Sequence, residues 1–179
     1  MAFATRIMRR LGWYWKLELA NAALVPGFVA IMAHSQGEGA GWLTYVSLLP
    51  CCVLLVIGGL YWRAKLHALA GDDAAMRGLL PVAAHLQKPL LIGSLGVTAI
   101  VFAASFVALP EVTETDLWAG GVVAVLGLLE YVNYYHRQLQ HFDHWPDFKR
   151  LFAGHGFRRA WMARDLVEWR RERSSQPPG

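Results

Sequence analysis

Every one of the seventeen Lys and Arg residues in this chain falls in one of three places, and they alternate with stretches that hold none. The first place lies before an apolar run at 17–34 (Arg6, Arg9, Arg10, Lys16). The second lies between runs at 42–62 and 90–109 (Arg63, Lys65, Arg77, Lys88). The third follows a run at 117–135 and begins at Arg137. The two other connections, 35–41 and 110–116, carry no basic residue and hold Glu38, Glu111, Glu114 and Asp116 instead. Packing in water gives no reason for such a partition. Insertion into a bilayer does, because basic residues stay on the cytoplasmic side of short loops. The pattern predicts four spans, with both termini cytoplasmic.

Run length agrees with this reading. A helix needs about 20 apolar residues to cross the hydrocarbon core. The runs at 42–62 and 90–109 carry no charge, and 117–129 is equally clean before Glu130. The first run is the shortest without interruption, from Leu19 to Ala33. Its basic leader resembles a signal peptide, but Glu18, Asn21 and the poor small-residue pattern near Ala33 predict a retained span. The chain is 55% hydrophobic and 17% charged, with a mean hydropathy of +0.31, which fits a membrane class. Its pI near 9.3 reads as topology signal and attraction to anionic headgroups, not as a nucleic-acid footprint.

The expected architecture is all-α: a four-helix transmembrane bundle over 1–137 and an amphipathic cytoplasmic tail over 138–179 with a disordered end. Trp42 and Trp118 mark the outer boundary, and Trp13, Trp15 and Trp62 the inner one. Short outer loops pair the first two spans and the last two as hairpins. The second span is expected to run on past Trp62 until Gly71, after which Asp72 or Asp73 caps a short helix that stops before Pro81. Small residues at Gly93, Gly96, Ala99, Gly120, Gly121, Ala124 and Gly127 suit close helix packing in lipid. In the tail, Pro146 suits a first helical turn, and Gly154-His155-Gly156 breaks the chain. Met162, Leu166 and Trp169 then form a stripe ringed by arginines, as in an interfacial helix or a partner-binding one.

Ionisable groups inside spans are candidate sites because lipid makes them costly. There are two, Glu18 and Glu130, each followed three residues on by an asparagine, Asn21 and Asn133. The first and fourth spans run in opposite directions. Contact between them would face Glu18 with Asn133 and Asn21 with Glu130, and Arg63 would reach toward the same level. Such a cluster is either a structural clamp or a polar pocket for a cation, a proton or a lipid headgroup. His136, His141 and His144 form a second, weaker candidate as metal ligands, with Asp143 nearby and His67 and His85 as further histidines for a haem. Cys51 and Cys52 make no CxxC motif and read as small apolar residues. No nucleotide-binding loop or nucleophile-elbow pattern is present, and the sequence requires no cofactor.

The resulting expectation is a small integral membrane protein of a bacterial plasma membrane. It would act through assembly, as a subunit of a complex or a homo-oligomer, with anionic lipid headgroups and a membrane partner as its contacts. Two alternatives stand beside it: an oligomeric channel, carrier or sensor using the Glu/Asn cluster, and a metal- or haem-binding membrane enzyme.

Overall fold

The computed structural model of the chain describes residues 2–107, 109, 111–139 and 157–175, with side chains from Leu11 onward. Among these residues the regular structure is helical: α1 (Ala2–Ser35), α2 (Trp42–Leu69), α3 (Ala74–Ala104), α4 (Glu114–Tyr135) and α5 (Trp161–Ser175). The first four are long and apolar enough to cross a membrane. The chain divides into two compact units, Met1–Glu130 and Tyr131–Gly179.

In the first unit α2 is the central helix. It is the most apolar of the four, with a mean hydropathy of 2.2, and the most buried. α1 packs against it antiparallel. The meeting points on α2 recur every seven residues, at Leu66 beside Gly12, Gly59 beside Leu19, and Cys52 beside Ala22. A repeat of seven keeps one seam in register between two helices of 3.6 residues per turn. At Gly59 the approach is closest: a Cβ there would lie 2.8 Å from Leu19 Cγ and 3.2 Å from the Trp15 carbonyl oxygen. Near the same end, the Trp15 ring takes the Arg63 guanidinium at 5.5 Å and Lys16 Nζ at 5.6 Å, and Tyr14 meets Trp62. The tryptophans expected as boundary anchors therefore also join α1 to α2.

α4 packs on α2 in the parallel sense. Gly120 abuts Leu43 at 3.2 Å and Gly127 abuts Cys51 at 3.5 Å, measured from where a Cβ would stand. Cys51, Leu55 and Val123 form a shared core that Ala22, Val25 and Val29 of α1 extend. The small residues expected to permit close packing do so along α4. In α3, by contrast, Gly96 has open space around it and Ala99 is exposed.

α3 differs from its sequence reading. Pro81 does not stop it; one helix runs from Ala74 through Pro81 and Pro89 to Ala104. Each proline deprives the carbonyl four residues earlier of its partner. Those carbonyls belong to Arg77 and His85, both exposed, where outside donors can serve them. Its 31 residues extend about 45 Å, more than a hydrocarbon core needs. The helix ends at Ala104 instead of continuing to 109, and the Ser105 amide and hydroxyl both donate to the Val101 carbonyl. The turn between α2 and α3 is as expected: Gly71 takes φ +93°, and the Asp72 carboxylate accepts from the Ala74 amide at 3.0 Å.

The second unit contains the last turn of α4 and α5, joined by a short antiparallel bridge between Arg137 and Arg159. Gln138 N–H donates to the Arg158 carbonyl at 2.9 Å, and Ala160 N–H to the His136 carbonyl at 3.1 Å. The expected helix near Pro146 and the break at 154–156 lie outside the described residues.

Gly59 is the tightest point of the α1–α2 seam: Leu19 Cδ2 and Cγ both lie 2.8 Å from where its Cβ would stand, and behind them the Trp15 carbonyl oxygen, fixed backbone, lies at 3.2 Å. Gly59→Val is expected to cost about 1–3 kcal/mol by overpacking, read as a lowered midpoint in denaturant unfolding of the micellar protein. Gly96→Ala, in open space, should leave the midpoint unchanged.

Candidate functional site

The most completely built polar site joins the start of α2 to the start of α4. α2 opens at Gly41, which has no side chain with which to cap it, so the amides of the first turn need an acceptor from elsewhere. Asp116, 1% exposed in the first turn of α4, supplies it. Its Oδ2 accepts from Leu43 N–H at 3.2 Å, and its Oδ1 from Thr44 N–H at 2.8 Å and Thr44 Oγ1 at 2.6 Å. These amides are the second and third of the helix, which a capping side chain ordinarily serves. The carboxylate also lies where two helix macrodipoles place their positive ends.

Local sequence explains how Asp116 is held. Thr113 precedes α4 and accepts the Asp116 N–H on its Oγ1 at 3.1 Å. Thr113 and Asp116 have the spacing of a capping box, in which the acidic side chain turns back on its own helix start. Here it reaches across to α2 instead. Gly41 makes that geometry possible, because a Cβ at this position would overlap the Asp116 carboxylate. Asp116 was grouped in the sequence with the acidic outer loop. The local signal at this position, the capping-box spacing of Thr113 and Asp116, points to the start of α4 and not to residues 43 and 44.

The intramembrane candidates differ in burial. Glu18 and Glu130 are both buried, at 3% and 9% exposure. Asn21 is exposed: three residues beyond Glu18 it turns about 60° around the helix, enough to leave the packed face. Arg63 is also exposed, with its guanidinium on the Trp15 ring. Asn133 is buried in the second unit, where its Oδ1 accepts from Leu139 N–H at 2.9 Å and ties down the chain leaving α4.

Among the metal candidates, His136 is exposed and sits 5.5 Å from the Tyr131 ring. His141 and His144 lie outside the described residues. Among the described residues no three His, Cys, Asp or Glu side chains gather as a metal site. His67 and His85 are exposed.

In α5 the expected stripe has a definite orientation. Met162 and Leu166 are buried and Trp169 is half-buried. Arg164, Arg170, Arg171 and Arg173 are exposed, and Arg164 and Arg173 stack on Trp161 and Trp169 at 4.0 and 5.1 Å. The helix therefore offers arginines outward, and most of its apolar stripe is already used.

Comparison with protein-family models, curated proteins and solved structures finds no match. Chemical reading of the site thus rests on its geometry. Asp116, engaged by two amides and a hydroxyl, holds two helices together. Glu18 and Glu130 are the other buried acidic groups among the described residues.

Removing the Asp116 carboxylate leaves two buried amides without their acceptor, each costing about 1–3 kcal/mol when unsatisfied, while the Thr44 hydroxyl keeps the Asp116 main-chain carbonyl at 3.3 Å. Asp116→Ala is expected to lower unfolding stability by at least about 2 kcal/mol. Asp116→Asn, which keeps one carbonyl acceptor, should lose less, and Thr44→Val less again. Thermal or denaturant unfolding of the three variants gives the order.

Proposed function

We propose that this chain is a small integral membrane protein that acts through assembly, as a subunit of a membrane complex or as a homo-oligomer. Its place would be the plasma membrane of a bacterium, with four spans and both termini in the cytoplasm. The supporting observation is the outward face of the four long helices. Ile31 of α1, Ile92 of α3 and Val122 of α4 are 68%, 71% and 65% exposed, and Leu24, Phe28, Phe102 and Leu129 accompany them. Apolar surface of this extent marks contact with lipid or with another protein. The buried Asp116 carboxylate ties helix to helix, which suits a scaffold more than a catalyst. The exposed arginines of α5 would meet anionic headgroups or an acidic partner through charge, since Met162 and Leu166 are not free to insert.

A second reading, an oligomeric channel, carrier or sensor, draws on the burial of Glu18 and Glu130. Buried carboxylates in an apolar helix are costly unless used, and proton or cation passage is one such use.

Native mass spectrometry of the protein extracted in mild detergent separates these readings when combined with flux measurements in proteoliposomes. Assembly predicts a defined stoichiometry or a co-purifying partner, and no proton or cation flux. A bare monomer at concentrations near those in the membrane would contradict it. Flux that Glu130→Gln abolishes would move the conclusion to the second reading. A clamp tolerates that isostere with stability nearly unchanged.

A further inference from the structure

Pro26 lies inside α1, yet the helix continues for nine residues to Ser35. A proline has no N–H, so the carbonyl of the residue four before it, Ala22, loses its helical donor. In a packed apolar environment an orphaned carbonyl is expensive, and neighbouring helices commonly serve it. Here Cys52 of α2 does so: its thiol donates to the Ala22 carbonyl oxygen, with Sγ 3.7 Å away. The adjacent cysteines therefore have different tasks. Cys51 is fully buried against Gly127 of α4 and fills space. Cys52, about 100° further round α2, faces α1.

The segment beyond Pro26 is lightly held. Gly27 follows at once, with nothing within 4 Å of where its Cβ would stand. Phe28, Ala30, Ile31 and Met32 are exposed, while Val29 and Ala33 keep contact with the interior. This segment, together with Ala23–Val25 before Pro26, forms one wall of an apolar groove of about 570 Å³, whose other wall is Val122, Val123 and Leu126 of α4.

We propose that Pro26 and Cys52 form a latched hinge. Pro26 breaks the hydrogen-bond ladder of α1 at Ala22, and the Cys52 thiol replaces the missing donor from α2. The latch fixes the angle of the segment from Gly27 to Ser35 and thereby the width of the groove beside α4. Without the thiol, Ala22 has no donor and the outer segment pivots at Pro26. The hinge stands independently of the proposed function, because it concerns one helix and its immediate neighbour.

A double-mutant cycle tests it. Cys52→Ala in the Pro26 background should lower the folded-to-unfolded ratio in mixed micelles about three-fold, the usual size for an interhelical hydrogen bond in a membrane protein. In Pro26→Ala, where residue 26 again donates to Ala22, the same change should have no effect. Cys52→Ser, which keeps a donor, should restore the wild-type ratio. Hydrogen exchange in nanodiscs gives the conformational readout: Cys52→Ala should speed exchange of amides from Gly27 to Ser35 and leave those before Ala22 unchanged. An equal loss in both backgrounds would show that Cys52 acts by packing, and a uniform rise in exchange along α1 would remove the hinge. Either result overturns the proposal.

Discussion

Lipid supplies no hydrogen bonds, so a helix in it must find every partner for its backbone within the protein. On the membrane reading, that requirement accounts for two long-range polar contacts among the described residues of the first unit. The start of α2 has bare amides, and Asp116 meets them from α4. The middle of α1 has a carbonyl stripped by Pro26, and Cys52 meets it from α2. In water either deficit is small, because solvent fills it. Between apolar helices each one becomes a reason for two helices to stay together.

Close approach is the second half of the same economy. On the same membrane reading, side chains already in hydrocarbon cannot drive association by leaving water, so contact area and short polar bonds would carry it. Gly59 brings α1 onto α2, and Gly120 brings α4 onto the turn of α2 that Asp116 caps. Gly41 clears the space for the Asp116 carboxylate. The close approaches at these three glycines and both polar contacts involve α2, which is why α2 is the most buried of the four and the others present apolar faces outward.

The helices were legible because their signals are local. Apolar runs of spanning length, the tryptophans at their ends and Gly71 at the turn lie within a few residues of what they specify. The cap of α2 was not legible, since Asp116 is 72 positions away from Thr44 and reads on its own as another acidic loop residue. Cys52 was hidden for the same reason, its partner Ala22 being 30 positions away. Pro81 misled in the other direction: a helix breaker by local rule, it sits four residues after the exposed Arg77, whose carbonyl is the one it leaves without a helical donor. Asn21 shares a spacing with Glu18 but not its burial, because three residues of helix suffice to cross the edge of a packed face.

The partition of basic residues is the observation from which the membrane reading starts, and its most direct test is sidedness. Single cysteines placed at Gly39, Glu111, Asp72 and Ser175, in a background carrying Cys51→Ala and Cys52→Ser, can be labelled in sealed inside-out and right-side-out vesicles with an impermeant thiol reagent. The account predicts that positions 39 and 111 label from the outside only, and positions 72 and 175 from the cytoplasmic side only. Labelling of all four from one side would contradict it.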